Sequence, residues 1–154
     1  MRWLRGLFVV YLAAVLTLTM WPQLEDTSVP GWADATIEAL ARVGIHVDVT
    51  FLEAASNLVM FLPFGVLGLV LVAHARRSWG AGTLVLAVAG AGFALSTLIE
   101  TTQLAIPGRV STLQDVALNT GGALVGAAAA EAVRSALRRR VVPPSGRPDD
   151  EVPT

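Results

Sequence analysis

The sequence predicts an all-α integral membrane bundle of four transmembrane helices, both termini cytoplasmic, with a short amphipathic helix in the first external loop. Three observations predict it. The chain of 154 residues is 54% hydrophobic and only 15% charged, where an ordinary soluble domain carries roughly 25% charge. Its apolar residues gather in four runs that reach or approach the ~20 residues a helix needs to cross a bilayer core. Its arginines are distributed unevenly between the two sides of that four-span thread.

The first run is Gly6 to Met20. Its basic start and apolar core resemble a signal peptide, but Met20-Trp21-Pro22 lacks the paired small residues of a cleavage site. It is read as a retained span. The second run, Ala54 to Ala73, is interrupted by Ser56, Asn57 and Pro63. The third, Trp79 to Ile99, holds no charge, and the fourth, Val116 to Ala130, is short unless its polar flanks are counted. Lipid cannot satisfy open backbone groups, so each span is expected to be helical. Trp21, Trp32 and Trp79 lie near the predicted span ends, where indole rings favour the interface.

Between the first two spans, Pro22 to Thr50 carries Glu25, Asp26, Asp34, Glu38 and Asp48. Within it, Trp32 to Val43 reads as an amphipathic helix with Ile37, Leu40 and Ala41 on one face and Gly44 as its stop. It either lies flat on the outer leaflet or packs on the bundle. Residues 1–140 form one transmembrane domain. The segment from Val141 to Thr154, with four prolines and three acids, is expected to be a disordered cytoplasmic tail.

Arg2, Arg5, Arg76, Arg77, Arg134, Arg138, Arg139 and Arg140 fall on one side of the thread, and only Arg42 and Arg109 on the other. Basic residues favour the cytoplasmic side. Both termini are therefore placed in the cytoplasm, which makes the chain a multi-pass protein of the plasma membrane. Net charge is −1, so nucleic acid is not an expected partner. The absence of cysteine removes disulfides, thiolate chemistry and cysteine-ligated metal. His46 and His74 stand far apart, so no metal site and no cofactor are expected.

Polar residues inside spans are costly, which makes them the candidates for function. On the second span Asn57 lies about one turn in, followed at helical spacing by Phe61 and Phe64. Pro63 removes a backbone donor there, and Gly65 and Gly68 leave room for a neighbouring helix. On the third, Glu100 and Gln103 share a face, with Thr97 expected one turn deeper. Pro107-Gly108 marks a turn, so the last two spans form an antiparallel hairpin that returns Arg109 and Asp115 toward Glu100. Asp115 and Asn119 share a face that Gly122 and Gly126 continue inward. The mouth of this cluster holds Glu100, Gln103, Arg109 and Asp115, with Asn57 and Asn119 a turn below. Arg109 between two carboxylates would lower the cost of placing them there. The bland reading is that the asparagines only bond between helices, at about 0.6 kcal/mol per pair, and that Arg109 only clamps the hairpin.

The chain resembles the VanZ-like membrane proteins in three blocks. Asn57-Leu-Val-Met-Phe61-Leu-Pro63-Phe-Gly65 is similar to the family's N-x-x-x-F-x-P-x-G stretch, Glu100-Thr-Thr-Gln103 to its E-x-x-Q pair, and the stretch from Arg109 through Asp115 and Asn119 to Gly122 to its R, D, N and G series. The blocks stand in the family's order and span about half the chain, Asn57 to Gly126. Thr112 and Gln114 stand where many members carry further acids. The resemblance implies an outward-facing site in the cell envelope. Through the family's namesake, it also implies a link to susceptibility to teicoplanin, a lipoglycopeptide.

Three functions follow as expectations. In the first, Asn57, Phe61, Glu100, Gln103, Arg109, Asp115 and Asn119 bind a lipid-linked or amphipathic ligand, with Arg109 on an anionic group. In the second, the chain is a membrane enzyme on a lipid-linked envelope substrate, with Glu100 or Asp115 as acid or base. In the third it is an accessory subunit, with Gly122 and Gly126 packing against the helix of a membrane protein partner; Pro63, Gly65, Gly122 and Gly126 are the candidates for helix packing.

Overall fold

The computed structural model describes residues 1–20, 31–106 and 112–141. Each apolar run is helical, and local devices mark several of the helix ends. α1 spans Arg2–Met20 and α2 spans Gly31–Arg42. α2 stops where Gly44 takes φ 82°. There the Ile45 N–H reaches the Leu40 carbonyl and the Gly44 N–H reaches that of Ala41, both at 3.0 Å, which is the Schellman closure. α3 spans Val49–Ala75 and starts earlier than its apolar run, because Asp48 Oδ1 accepts from the Phe51 N–H at 2.7 Å and caps it. α4 spans Ala81–Gln103, so Glu100 and Gln103 belong to the helix proper.

α5 departs most from its apolar run. It covers Leu113–Val141, well beyond Val116 to Ala130. The extension, Glu131 to Arg140, is built from strong helix formers and is tied by Glu131 to Arg134, three residues on, at 2.6 and 2.9 Å. At 29 residues the helix is ~44 Å long, so its last arginines extend past a hydrocarbon core of ~30 Å.

Four helices, α1, α3, α4 and α5, are long and apolar enough to cross a membrane. Their outward surfaces are apolar too. Val10, Leu18, Leu86, Leu98 and Val133 are all exposed, as expected where lipid is the solvent. No strand occurs among the described residues.

α5 is the hub, packed most closely on α3 and then on α4. The reason lies in small residues. A Cβ on Gly122 or Gly126 would overlap the backbone carbonyl oxygens of Leu58 and Leu62, and one on Gly65 would overlap the carbonyl of Ala123. The α3 and α5 backbones therefore touch directly, as small residues allow between membrane helices. Gly92 does the same for α4, where a Cβ would come within 2.6 Å of the Ala123 methyl. Phe61, Leu69, Leu84, Val88, Ile99, Ala123 and Ala127 fill the core. α1 lies outside this trio. It is held by the Tyr11 hydroxyl donating to the Met60 carbonyl at 2.6 Å and by Phe8 against Phe64, with ring centroids 5.5 Å apart.

Candidate functional site

The antiparallel threading brings one end of each spanning helix to a common level: the C-termini of α1 and α4 and the N-termini of α3 and α5. This polar end holds the described candidates. The opposite, basic end holds Arg2, Arg5, His74, Arg76, Arg77 and Arg134 to Arg140.

Asp115 sits in the first turn of α5, where the helix dipole favours a negative charge. Its Oδ2 accepts from the Thr112 hydroxyl at 2.7 Å, and its N–H donates to Thr112 Oγ1 at 3.1 Å. Its Oδ1 accepts from Asn57 Nδ2 of α3. One carboxylate thus starts α5 and ties it to α3. Four residues on, Asn119 is buried and turned the other way, donating from Nδ2 to Ser96 Oγ of α4 at 2.9 Å. Asp115 and Asn119 together stitch α5 to both neighbours.

On α4, Ser96, Glu100 and Gln103 form a buried row. Gln103 Nε2 donates to the Thr19 carbonyl at 2.8 Å and so fastens the end of α1. Glu100 is 8% exposed and Asn119 2%, yet Glu100 Oε2 and Asn119 Oδ1 have no hydrogen-bond partner among the described residues. A buried acceptor left unmade forfeits about 1–3 kcal/mol. Two such groups, one on α4 and one on α5, are a distinct feature of this end of the molecule.

One placement differs from the sequence expectation. Thr97 is exposed, with its hydroxyl returned to the Phe93 carbonyl at 2.9 Å, and Ser96 takes the inward position. The buried arc of α4 runs through Gly92, Ser96, Ile99, Glu100 and Gln103, which leaves Thr97 on its lipid side. Asp115 turns to Asn57 and Thr112. Phe61 is fully buried and Phe64 nearly so, in the core below the polar row. Pro63 is exposed within a continuous α3. Arg109 lies outside the described residues, as do Trp21 and the tail beyond 141.

Two participants of this end, Thr112 and Ser96, and one buried acid of the basic half, Glu131, are not among the sequence candidates. Thr112 carried a signal, since Thr-x-x-Asp before an apolar run is a helix-start pattern. Ser96 could have been found at four residues from Glu100. Glu131, also buried, carried the i, i+3 spacing to Arg134 and additionally accepts from the Ser135 hydroxyl at 2.9 Å. Among the described residues no group of His, Cys, Asp and Glu is placed to hold a metal ion.

The VanZ/LLP1 family model matches residues 8–134, well over half the chain. The chain belongs to the VanZ-like family. With four spanning helices, this VanZ-like chain is a multi-pass membrane protein. Searches of curated proteins and of solved structures gave no match.

Proposed function

We propose that this VanZ-like protein binds a lipid-linked or amphipathic molecule of the cell envelope at its polar end, which faces outward from the plasma membrane. The observation that carries the reading is the pair of buried, unpartnered acceptors, Glu100 Oε2 and Asn119 Oδ1. A packing device would gain by closing them, whereas a ligand that brings hydroxyl or amide donors completes them. Arg109, in the sequence between Glu100 and Asp115, is the candidate for an anionic group on the same ligand.

The outward orientation rests on the arginines. The cysteine-free chain permits a direct check. In intact cells a membrane-impermeant maleimide should label Ala105→Cys, an exposed residue of the polar end. It should label Arg77→Cys only after the cells are opened.

A second reading is that the polar end is structural and the protein is an accessory subunit of a membrane complex. It is favoured by the bonds Asn57–Asp115, Asn119–Ser96 and Gln103–Thr19, each of which joins two helices. Complementation separates the two. A deletion strain would be rescued with wild type, Glu100→Gln, Arg109→Lys or Asp115→Asn at matched membrane levels, and lipid-linked intermediates and lipoglycopeptide sensitivity would be read together. On the binding reading, Glu100→Gln and Arg109→Lys reach the membrane normally and fail to rescue. Normal rescue by both leaves the accessory-subunit reading. Accumulated lipid-linked intermediates in the failing strains would make the site enzymatic, with Glu100 or Asp115 as its acid or base.

A further inference from the structure

At the basic end the seam between α1 and α3 opens. Higher up it is closed by Tyr11 on Met60 and Phe8 on Phe64. Below Phe8 it widens into a groove of about 250 Å³ lined by Met1, Arg5, Leu71, Val72, His74 and Ala75. The walls are mostly apolar, and the polar contribution comes from Arg5 of α1 and His74 of α3, both exposed.

Among the described residues the charge around this groove is not balanced. None of Arg2, Arg5, His74, Arg76 and Arg77 has a carboxylate partner among the described residues. Glu131, the only carboxylate on the basic half of the four spanning helices, is already held by Arg134 and Ser135. Depth is marked by Trp79, over whose ring Arg76 lies at 5.5 Å. An indole at a span end sits at the headgroup level. An apolar slot running down from that level, with unneutralised cations at its rim, matches one kind of occupant.

We propose that the groove binds a diacyl phospholipid with a net negative headgroup. One acyl chain lies along Leu71 and Val72. The phosphate meets the Arg5 guanidinium, which can hold it with two parallel N–H bonds, and the His74 imidazole adds a donor. Basic pockets between membrane helices are a recognised way of holding anionic headgroups. This site is at the opposite end of the bundle from the polar row and does not depend on the function proposed there.

The test uses the full chain, purified in mild detergent, exchanged with phosphatidylglycerol or phosphatidylcholine and read by native mass spectrometry as lipid retained per protein. Wild type should retain phosphatidylglycerol preferentially. A surface arginine contributes about a fivefold change in such binding. Arg5→Gln should therefore lower retained phosphatidylglycerol about fivefold and leave phosphatidylcholine unchanged. Leu71→Trp, which fills the slot and keeps every charge, should remove the preference. Arg139→Gln combined with Arg140→Gln removes charge from the same end away from the groove and should leave retention as in wild type. Arg5 is exposed, so its variant should melt with wild type. Equal retention of the two lipids by wild type would overturn the proposal. So would an equal loss in the Arg139/Arg140 variant, which would make the effect one of net charge alone.

Discussion

Replacing Gly122 with alanine should unfold or splay the bundle, while the same change at Gly121, one residue away, should be neutral or stabilising. The added methyl at 122 has nowhere to go. It would overlap the Leu58 carbonyl oxygen and crowd the Phe61 Cβ at 3.1 Å. A flexible side chain could swing aside, but a backbone carbonyl inside a helix cannot, so α3 and α5 must separate along the seam that organises the fold. Overpacking of this kind typically costs about 1–3 kcal/mol, and more where the neighbour is rigid. We expect the upper end, about 3 kcal/mol. Gly121 meets nothing within 4 Å, and there alanine gains its helix propensity, up to about 1 kcal/mol. The contrast between neighbours should therefore reach about 4 kcal/mol. Unfolding in mixed micelles with rising dodecyl sulfate, followed by tryptophan fluorescence, measures it. Gly126→Ala should behave like Gly122→Ala, because it meets the Leu62 carbonyl in the same way. Equal stabilities at 121 and 122 would show that α3 and α5 do not approach at backbone distance.

The four spans were legible because lipid imposes a demand that composition alone reveals: a long apolar helix with its polar groups closed. The amphipathic α2 and its stop at Gly44 were legible for a similar reason, since glycine enters the left-handed region without a Cβ clash. Span ends were less so. α3 begins at Val49 because Asp48 caps it, and α5 runs to Val141 because its charged last turns remain good helix. Hydropathy registers neither cause.

At the polar end, sequence spacing places Glu100, Gln103 and Asp115 at the mouth and Asn57 and Asn119 a turn below, but not their pairings. A period of 3.6 assigns a face and leaves about one residue of ambiguity, which is how Thr97 stood in for Ser96. Spacing along α5 likewise could not tell that Asp115 turns to α3 and Asn119 to α4. That choice depends on which neighbour lies on each side of the hub.

The same polar end gives the second large effect. Glu100 keeps a carboxyl group in a buried row with Oε2 unpartnered among the described residues. If the group serves packing, its removal should weaken the bundle. If it serves a ligand, the empty protein carries it at a disadvantage. Glu100→Met, close in length and apolar, should then relieve about 1–3 kcal/mol, the penalty of a buried polar group without its bonds. The variant should be stable, abundant and inactive.

The most direct measurement is therefore the unfolding midpoint of Glu100→Met beside wild type in mixed micelles, paired with rescue of the deletion strain at matched membrane levels. A midpoint at or above wild type together with failed rescue is the predicted result: stability and function would be opposed at a single residue, as expected of a binding site. A lowered midpoint with normal rescue would contradict it and make Glu100 part of the bundle's internal packing.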